Sequence, residues 1–316
     1  MKELWGRWDK SDRVPLAQTL PWARAMQSLG AHSVWVFHSK GDLGGVLYQL
    51  ESEPGTFHCQ NGPILDWEAG HSVLLEQTAY FARTVAQFST DPFRQLNLRP
   101  RLDRQLWDQG KWSDFPIEIS RVEYASTIQI DLRGTLEELL EGFSSRMKRS
   151  LMKTFSPDLE TDWRPVDEFI GPHLAESAQL FGKRRGFFVP PWSWFEALLK
   201  RDFHPVPSTP RLFIAEVRQG LSSARAWVWI QGGIAYFLYG DSSGPRLGSG
   251  VLLGAAVQVV AMLGAYSEGA RVYDLNGYVR DLRAQPDYAG VAVFKSQFNG
   301  RTVDYAVPEW VISSGE

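Results

Sequence analysis

Lys295, in VAVFKSQFNG, lies between Phe294 and Phe298 and just ahead of an Asn299-Gly300 pair, so its ammonium would emerge from an apolar surface beside a turn. A cation so placed can stabilise an oxyanion or ease the departure of an ester oxygen; a lysine whose stem merely lies along an apolar face is the plainer reading, and spacing does not separate the two. Tyr236 and Tyr239 fall in IAYFLYG, a stretch with strand character. A phenol at a strand end could orient a carbonyl or accept a proton, although most strand tyrosines pack half-buried with a wet hydroxyl. Arg146, Lys148, Arg149 and Lys153 crowd the end of a helical pattern, with Arg146, Arg149 and Lys153 at i, i+3 and i+7 on one face that could meet phosphates. A solvated helix end that answers its own dipole has the same composition. Arg184 and Arg185, in KRRGF, carry the same two readings.

The loop DSSGPRLGSGVLLGAA follows a strand pattern and opens a helix pattern, so the amides of Gly248 and Gly250 could cradle a pyrophosphate. Acyl-CoA-binding acetyltransferases of the GNAT class use such a loop. Their usual spacing is Arg or Gln, two residues, Gly, one residue, Gly or Ala, and Arg246-Leu247-Gly248-Ser249-Gly250 is one residue short of it. Other chemistries find little support. The six histidines form no HxxxH or HExxH pair and the single cysteine, Cys59, can make no internal disulfide, so neither a metal site nor a cofactor is expected. Cys59 reads as a small buried thiol in a reducing compartment.

These residues need a scaffold, and 316 residues with 44% apolar and 22% charged side chains supply one. Two medium domains are the better expectation. A net charge of -3 argues against a surface that grips nucleic acid everywhere, so any polyanion must meet a local patch. No apolar run approaches the roughly 20 residues of a membrane span, and a cytoplasmic location is expected. From His32 to Pro63 three antiparallel strands are separated by Gly-containing turns, and a helix follows over His71 to Phe88. The segment from Arg211 to Gly240 repeats that plan, with turns at Gln219-Gly220 and Gly232-Gly233, a Gly-rich loop and an apolar helix from Val251. Between them STIQIDL alternates as a strand. TLEELLEGFSSRMKRSLMK then reads as one helix opened by a Thr135/Glu138 capping box, with Leu136, Leu139, Leu140, Phe143, Met147 and Leu151 on its apolar face.

Taken in order, local patterns resemble the FemABX family of tRNA-dependent aminoacyl transferases over nearly the whole chain. Gln18-Thr-Leu-Pro-Trp22-Ala-Arg24 resembles the family's opening, and Asn61-Gly62-Pro63 the Gly-Pro that closes a third strand. SSRMKRSLMK resembles its basic helix, KRRGF its Arg-x-Gly-aromatic segment, and PRLFIAE the strand whose arginine binds substrate phosphate. YFLYGDSS, VYDLNG and FKSQFNG, in this order and spacing, are the specific part. The Leu-Arg-x-Asp-Pro segment departs from the family, LNLRPRLD having Arg99 directly before Pro100, and no helical-hairpin arm interrupts 143–211, which fits the compact FemX-like subset.

The resemblance implies an α/β (α+β) fold of two GNAT-like lobes, each a mixed, mostly antiparallel sheet flanked by helices. Residues 1–123 would form the acceptor side, with 306–316 returning to it, and 124–305 the aminoacyl-tRNA side. It implies transfer of an amino acid from aminoacyl-tRNA to the amine of a peptidoglycan precursor, UDP-MurNAc-pentapeptide or lipid II, by a monomer with peripheral contact to the inner face of the membrane. Carried over by position, Arg211 and Arg24 would bind acceptor phosphates, with Tyr236 and Arg184 also on the substrate side. Tyr239, Phe294 and Lys295 would line the reaction channel, Lys295 stabilising charge on the departing ribose, and Arg146, Lys148, Arg149 and Lys153 would hold the tRNA. Three rivals stay open: an acyl-CoA-dependent GNAT-type N-acyltransferase, a catalytically idle binding protein, and tRNA-dependent transfer to a peptide natural product.

Overall fold

The computed structural model describes residues 20–38, 44–50, 52–60, 62–63, 71–88, 94–109, 118–199, 211–245, 248, 251–280, 283 and 286–313. The chain divides into two compact units, one of Met1–Ala125, Glu196–His204 and Asp304–Glu316, the other of Ser126–Phe195 and Pro205–Val303.

In the first unit helix α1 (Leu20–Ser28) leads into strands β1 (Ala31–His38), β2 (Gly44–Leu50) and β3 (Thr56–Gln60), then helix α2 (His71–Phe88) and strand β4 (Gln95–Arg99). The first three strands pair antiparallel in sequence, and β4 lies parallel to β3. Short β5 (Leu102–Asp103) and helix α3 (Arg104–Gln109) follow, and the long strand β6 (Glu118–Asp131) carries the chain into the second unit. The last strand, β12 (Arg301–Ser313), runs antiparallel to β4 and β5, with Trp310 opposite Leu98 and Tyr305 opposite Asp103. Phe57, Cys59, Phe81, Leu96, Leu98 and Trp310 are fully buried at the middle of this unit.

The second unit repeats the plan. After helices α4 (Leu136–Glu141) and α5 (Ser145–Thr154), strand β7 (Glu160–Pro165), helix α6 (Gly171–Arg185) and helix α7 (Trp192–Leu199), whose residues from Glu196 on belong to the first unit, an antiparallel meander forms from β8 (Arg211–Gln219), β9 (Ser222–Gln231) and β10 (Ile234–Ser243). Helix α8 (Leu253–Ser267) crosses over to β11 (Val272–Asp274), which is parallel to β10 and antiparallel to β6. Both tight turns of the meander need positive φ, at Gly220 (57°), Gly232 (58°) and Gly233 (78°), which only glycine adopts without strain. Each unit thus holds a three-stranded meander, a helix and a parallel fourth strand with an antiparallel partner, β12 or β6, and the second adds β7 antiparallel to β8.

Alternation along β9 sorts the layers. Ala224, Ala226, Val228 and Ile230 join a core with α8 and α5, through Val257, Val259, Met262, Met147 and Leu151. Arg225, Trp227 and Trp229 point the other way, where Phe195 of α7 stacks on Trp227 at 4.8 Å. Helix α8 is apolar on nearly every side because it is buried on nearly every side.

One element differs from the sequence expectation. The single helix over 135–153 is two helices: Gly142 ends the first, and the Ser144 side chain caps the second by accepting from the Met147 amide at 3.2 Å. The capping box at the first is intact, Thr135 Oγ1 accepting from Glu138 N at 3.2 Å and Glu138 accepting from Thr135 N at 2.7 Å. The break rotates Leu136 away from the core, leaving it 45% exposed, while Phe143, Met147 and Leu151 are buried. Gly142 followed by Phe143 and two serines offers a stop and a fresh N-cap, and these outweigh a continuous apolar stripe.

Candidate active site

The second unit holds an opening in its sheet. β10 and β11 pair over only three positions, Ile234–Val272, Ala235–Tyr273 and Tyr236–Asp274. Immediately beyond, β10 is bulged between Phe237 and Tyr239 and runs on to Ser243 beside β9. The chain after β11 instead turns through Asn276 (φ 50°) and Gly277 (φ 49°) and follows β6, where Tyr278 bridges Ser126. The two strands therefore splay, and the edge of β10 from Phe237 onward is not paired to β11.

Lys295 sits at this opening. It lies on helix α9 (Ala289–Ser296), is 7% exposed, and its ammonium donates to the carbonyls of Asn276 and of Gly277, the latter at 3.0 Å. The Phe237 ring lies beneath it, 5.9 Å from the nitrogen to the centroid. Burial pulls its pKa down from the usual lysine range to about 8, against the nearby Asp274 charge, which raises it. Phe294, one position earlier, is half-buried and meets Phe298 edge-on at 5.3 Å. Asp274 is buried and accepts from Thr127 Oγ1, from Gln129 Nε2 at 3.1 Å and from the Asn276 amide at 2.7 Å.

The register puts Phe237 on the face of Val228, with Lys295, whereas Tyr236 and Tyr239 share the opposite face with Trp229 and Trp227. Tyr239 is half-buried against Phe195, ring centroids 6.1 Å apart, and burial pushes its phenol up to about 12. It can therefore donate a hydrogen bond near neutral pH but is a poor base. Farther along that face lies a charged cluster absent from the sequence reading. Glu216, 1% exposed, accepts from Arg225 at 2.8 Å and Arg218 at 2.7 Å, and Arg225 reaches Asp241 at 3.5 Å. Burial alone would raise the Glu216 pKa, but the two guanidinium hydrogen bonds outweigh it and leave it lowered. Burial prevails over the more distant Arg225 at Asp241, whose pKa rises to about 6.

At the end of β10 a cavity of about 770 Å³ is lined by Phe181, Arg184, Arg185, Ser223, Ser243 and Gly248, with the first turn of α8 along one wall. Arg184 and Arg185 stand over Phe181 at 5.8 and 5.6 Å. Guanidinium groups, hydroxyls and the start of a helix suit a phosphate-bearing group; Arg246 and Gly250 lie outside the described residues.

The remaining sequence-selected residues are dispersed. Arg211 is at the other end of the meander, opposite Ile230, with its guanidinium 2.6 Å from Glu268 and 43% of the side chain exposed. Arg146, Arg149 and Lys153 are exposed on α5, while the Lys148 ammonium donates to the Glu141 carbonyl at 3.2 Å. Arg24 lies within α1, its side chain outside the described residues, as is Gln18 altogether. Arg99 pairs with Glu123 at 2.5 Å. Among the described residues no cluster of three His, Cys, Asp or Glu could hold a metal ion, and no helix is long and apolar enough to cross a membrane. Asp274 and Phe237 lie in VYDLNG and YFLYG, but nothing in either string marks them as neighbours of Lys295.

No protein-family model matches the chain, and no curated protein matches it in sequence. Solved structures do match in fold. FemX superposes with a TM-score of 0.75 at 15% identity, over 96% of this chain and 95% of that one. L-PGS from Bacillus licheniformis gives 0.54 at 12% identity, over 90% and 85%. A tandem GNAT protein from the clavulanic acid biosynthesis pathway gives 0.51 at 10% identity, over 99% and 96%. The chain has the tandem GNAT-like architecture of mixed, mostly antiparallel sheets flanked by helices, and it is structurally related to FemX.

Proposed function

We propose that this protein is an aminoacyltransferase that moves an amino acid from aminoacyl-tRNA to the amine of a peptidoglycan precursor, UDP-MurNAc-pentapeptide or lipid II. The observation that carries the reading is the buried Lys295 ammonium, held by two carbonyls at the mouth of the splayed β10/β11 pair, in a chain with the fold of FemX over 96% of its length. An aminoacyl ester is already activated, so transfer needs the acceptor amine placed against the carbonyl and charge stabilised on the departing ribose oxygen. A fixed cation does the second without a nucleophile or a covalent intermediate. Arg146, Arg149 and Lys153 would meet the tRNA, Arg211 and Arg24 the acceptor phosphates, and Tyr239, Phe294, Tyr236 and Arg184 the substrates along the sheet. The work would take place in the cytoplasm, by a monomer that touches the membrane surface when its acceptor is lipid-linked.

A second reading has one observation in its favour. The cavity at Arg184, Arg185 and Gly248 would also suit the phosphates of an acyl-CoA. The deciding assay offers a charged total-tRNA pool with radiolabelled amino acids to UDP-MurNAc-pentapeptide and separately to lipid II, beside acetyl-CoA and no-enzyme controls. Label in either muropeptide is the expected result and names the amino acid. Acetyl transfer without transfer from tRNA would replace the proposal with the acyl-CoA reading, and a peptide acceptor outside the cell wall would keep the chemistry and change the substrate.

A further inference from the structure

Lys295 gains its direction from two carbonyls, and those carbonyls belong to residues in an uncommon conformation. Asn276 and Gly277 both have φ near +50°, at 50° and 49°. A non-glycine residue remains in that region only where its surroundings hold it. Asn276 is held at both ends: its N–H donates to Asp274 at 2.7 Å, and its C=O accepts from the Lys295 ammonium. Asp274 is in turn fixed from β6, by Thr127 Oγ1 and by Gln129 Nε2 at 3.1 Å. A carboxylate only 3% exposed is costly unless its lone pairs are filled. Here two side chains of one strand and one amide of the following turn fill them.

We infer that Asp274 is a positioning residue for Lys295, locking the Asn276–Gly277 carbonyl pair that orients the ammonium at the opening between β10 and β11. It does not touch a reacting atom; it acts through the turn and through its charge. The groups that face Lys295 are the two carbonyls, the Phe237 ring and, behind the Asn276 peptide, the carboxylate of Asp274. With burial favouring the neutral amine, Asp274 is the charge that opposes it among the described residues. The inference rests on the reading of Lys295 given above only for its catalytic consequence.

The test follows the Lys295 side chain in the intact protein carrying [ε-13C]lysine, with the resonance assigned by its loss in Lys295→Met. The parent should titrate at about 8. Asp274→Asn should lower that midpoint by about half a pH unit or more. In the transfer assay it should lower kcat, leave KM within about twofold, and move the alkaline limb of the profile to lower pH by the same step. A midpoint unchanged in a folded Asp274→Asn protein overturns the inference. Should that variant fail to fold, Thr127→Ser, which keeps the donor, should retain the parent midpoint, and Thr127→Val, which removes it, should not; identical midpoints in the two would overturn the inference as well. A midpoint that moves in a protein showing no tRNA-dependent transfer leaves the positioning role standing and removes the proposed function instead.

Discussion

Lys295 sets function against stability at a single residue. Its folded pKa of about 8 lies below the ordinary lysine value of 10.5, so between those values the unfolded chain holds the proton more tightly than the native one. Parent stability should therefore rise as pH climbs from about 8 toward 10.5, the reverse of a lysine that gains an ion pair. Lys295→Met removes the buried charge together with its two hydrogen bonds to the Asn276 and Gly277 carbonyls. We expect the variant to melt at a higher temperature than the parent at pH 7, with the gap narrowing above pH 8, while turnover falls roughly 10²-fold for want of oxyanion stabilisation. A lower melting temperature at pH 7 would mean that the two hydrogen bonds outweigh the desolvation. Arg211 poses a second question at this scale, because Glu268 already occupies its guanidinium at 2.6 Å. If Arg211 binds an acceptor phosphate, Arg211→Ala should weaken acceptor binding by about 1.5–3 kcal/mol, the range of a charge-assisted contact, and Glu268→Gln should tighten it. Calorimetric titration with UDP-MurNAc-pentapeptide reads both, and an unchanged Kd in the two variants would move the phosphate site elsewhere.

Between elements, close approach of backbone and ring is what the sequence conceals. Gly264, deep in α8, lies under Trp163, where an added Cβ would come within 2.1 Å of the indole, itself stacked on Phe213 at 4.8 Å. Gly254, in the first turn of the same helix, has open space around its Cβ position. Alanine is the better helix former by about 1 kcal/mol at either site, but overpacking costs about 1–3 kcal/mol at the first alone. Chemical denaturation should find Gly264→Ala destabilised and Gly254→Ala neutral or stabilised; equal effects would deny the indole contact. The same distinction between local and distant information explains what could be read in advance. Strand periodicity, paired glycines and the Thr135/Glu138 box are local, and they located the two meanders, the helix at His71–Phe88 and the start of α4. The split at Gly142 is legible in Gly-Phe-Ser-Ser but is masked by an apolar stripe that runs across it in sequence. The Thr127–Asp274–Asn276–Lys295 chain joins β6, β11, the turn after it and α9, and the Glu216–Arg225–Asp241 cluster joins three strands. Neither leaves a mark in any one segment.

For the molecule as a whole, a net charge of -3 confines any grip on RNA to particular surfaces. On α5 the exposed cations are Arg146, Arg149 and Lys153, since Lys148 is engaged by the Glu141 carbonyl. Each phosphate neutralised by a cation contributes about 0.7 to 0.9 to the fall of log K with log salt, so a patch of this size predicts a slope of about -2 to -3. A protein that held the polyanion over its whole surface would show a much steeper one. Filter binding of aminoacyl-tRNA across a salt series should give that modest slope, and the double variant Arg149→Ala, Lys153→Ala should flatten it by about 1.5 to 2. If the slope is modest and the variant leaves it unchanged, α5 is a solvated helix end and the RNA is met by another surface. The cavity that holds Arg184 and Arg185 then becomes the next place to test, because it is where guanidinium groups and the start of a long helix come together.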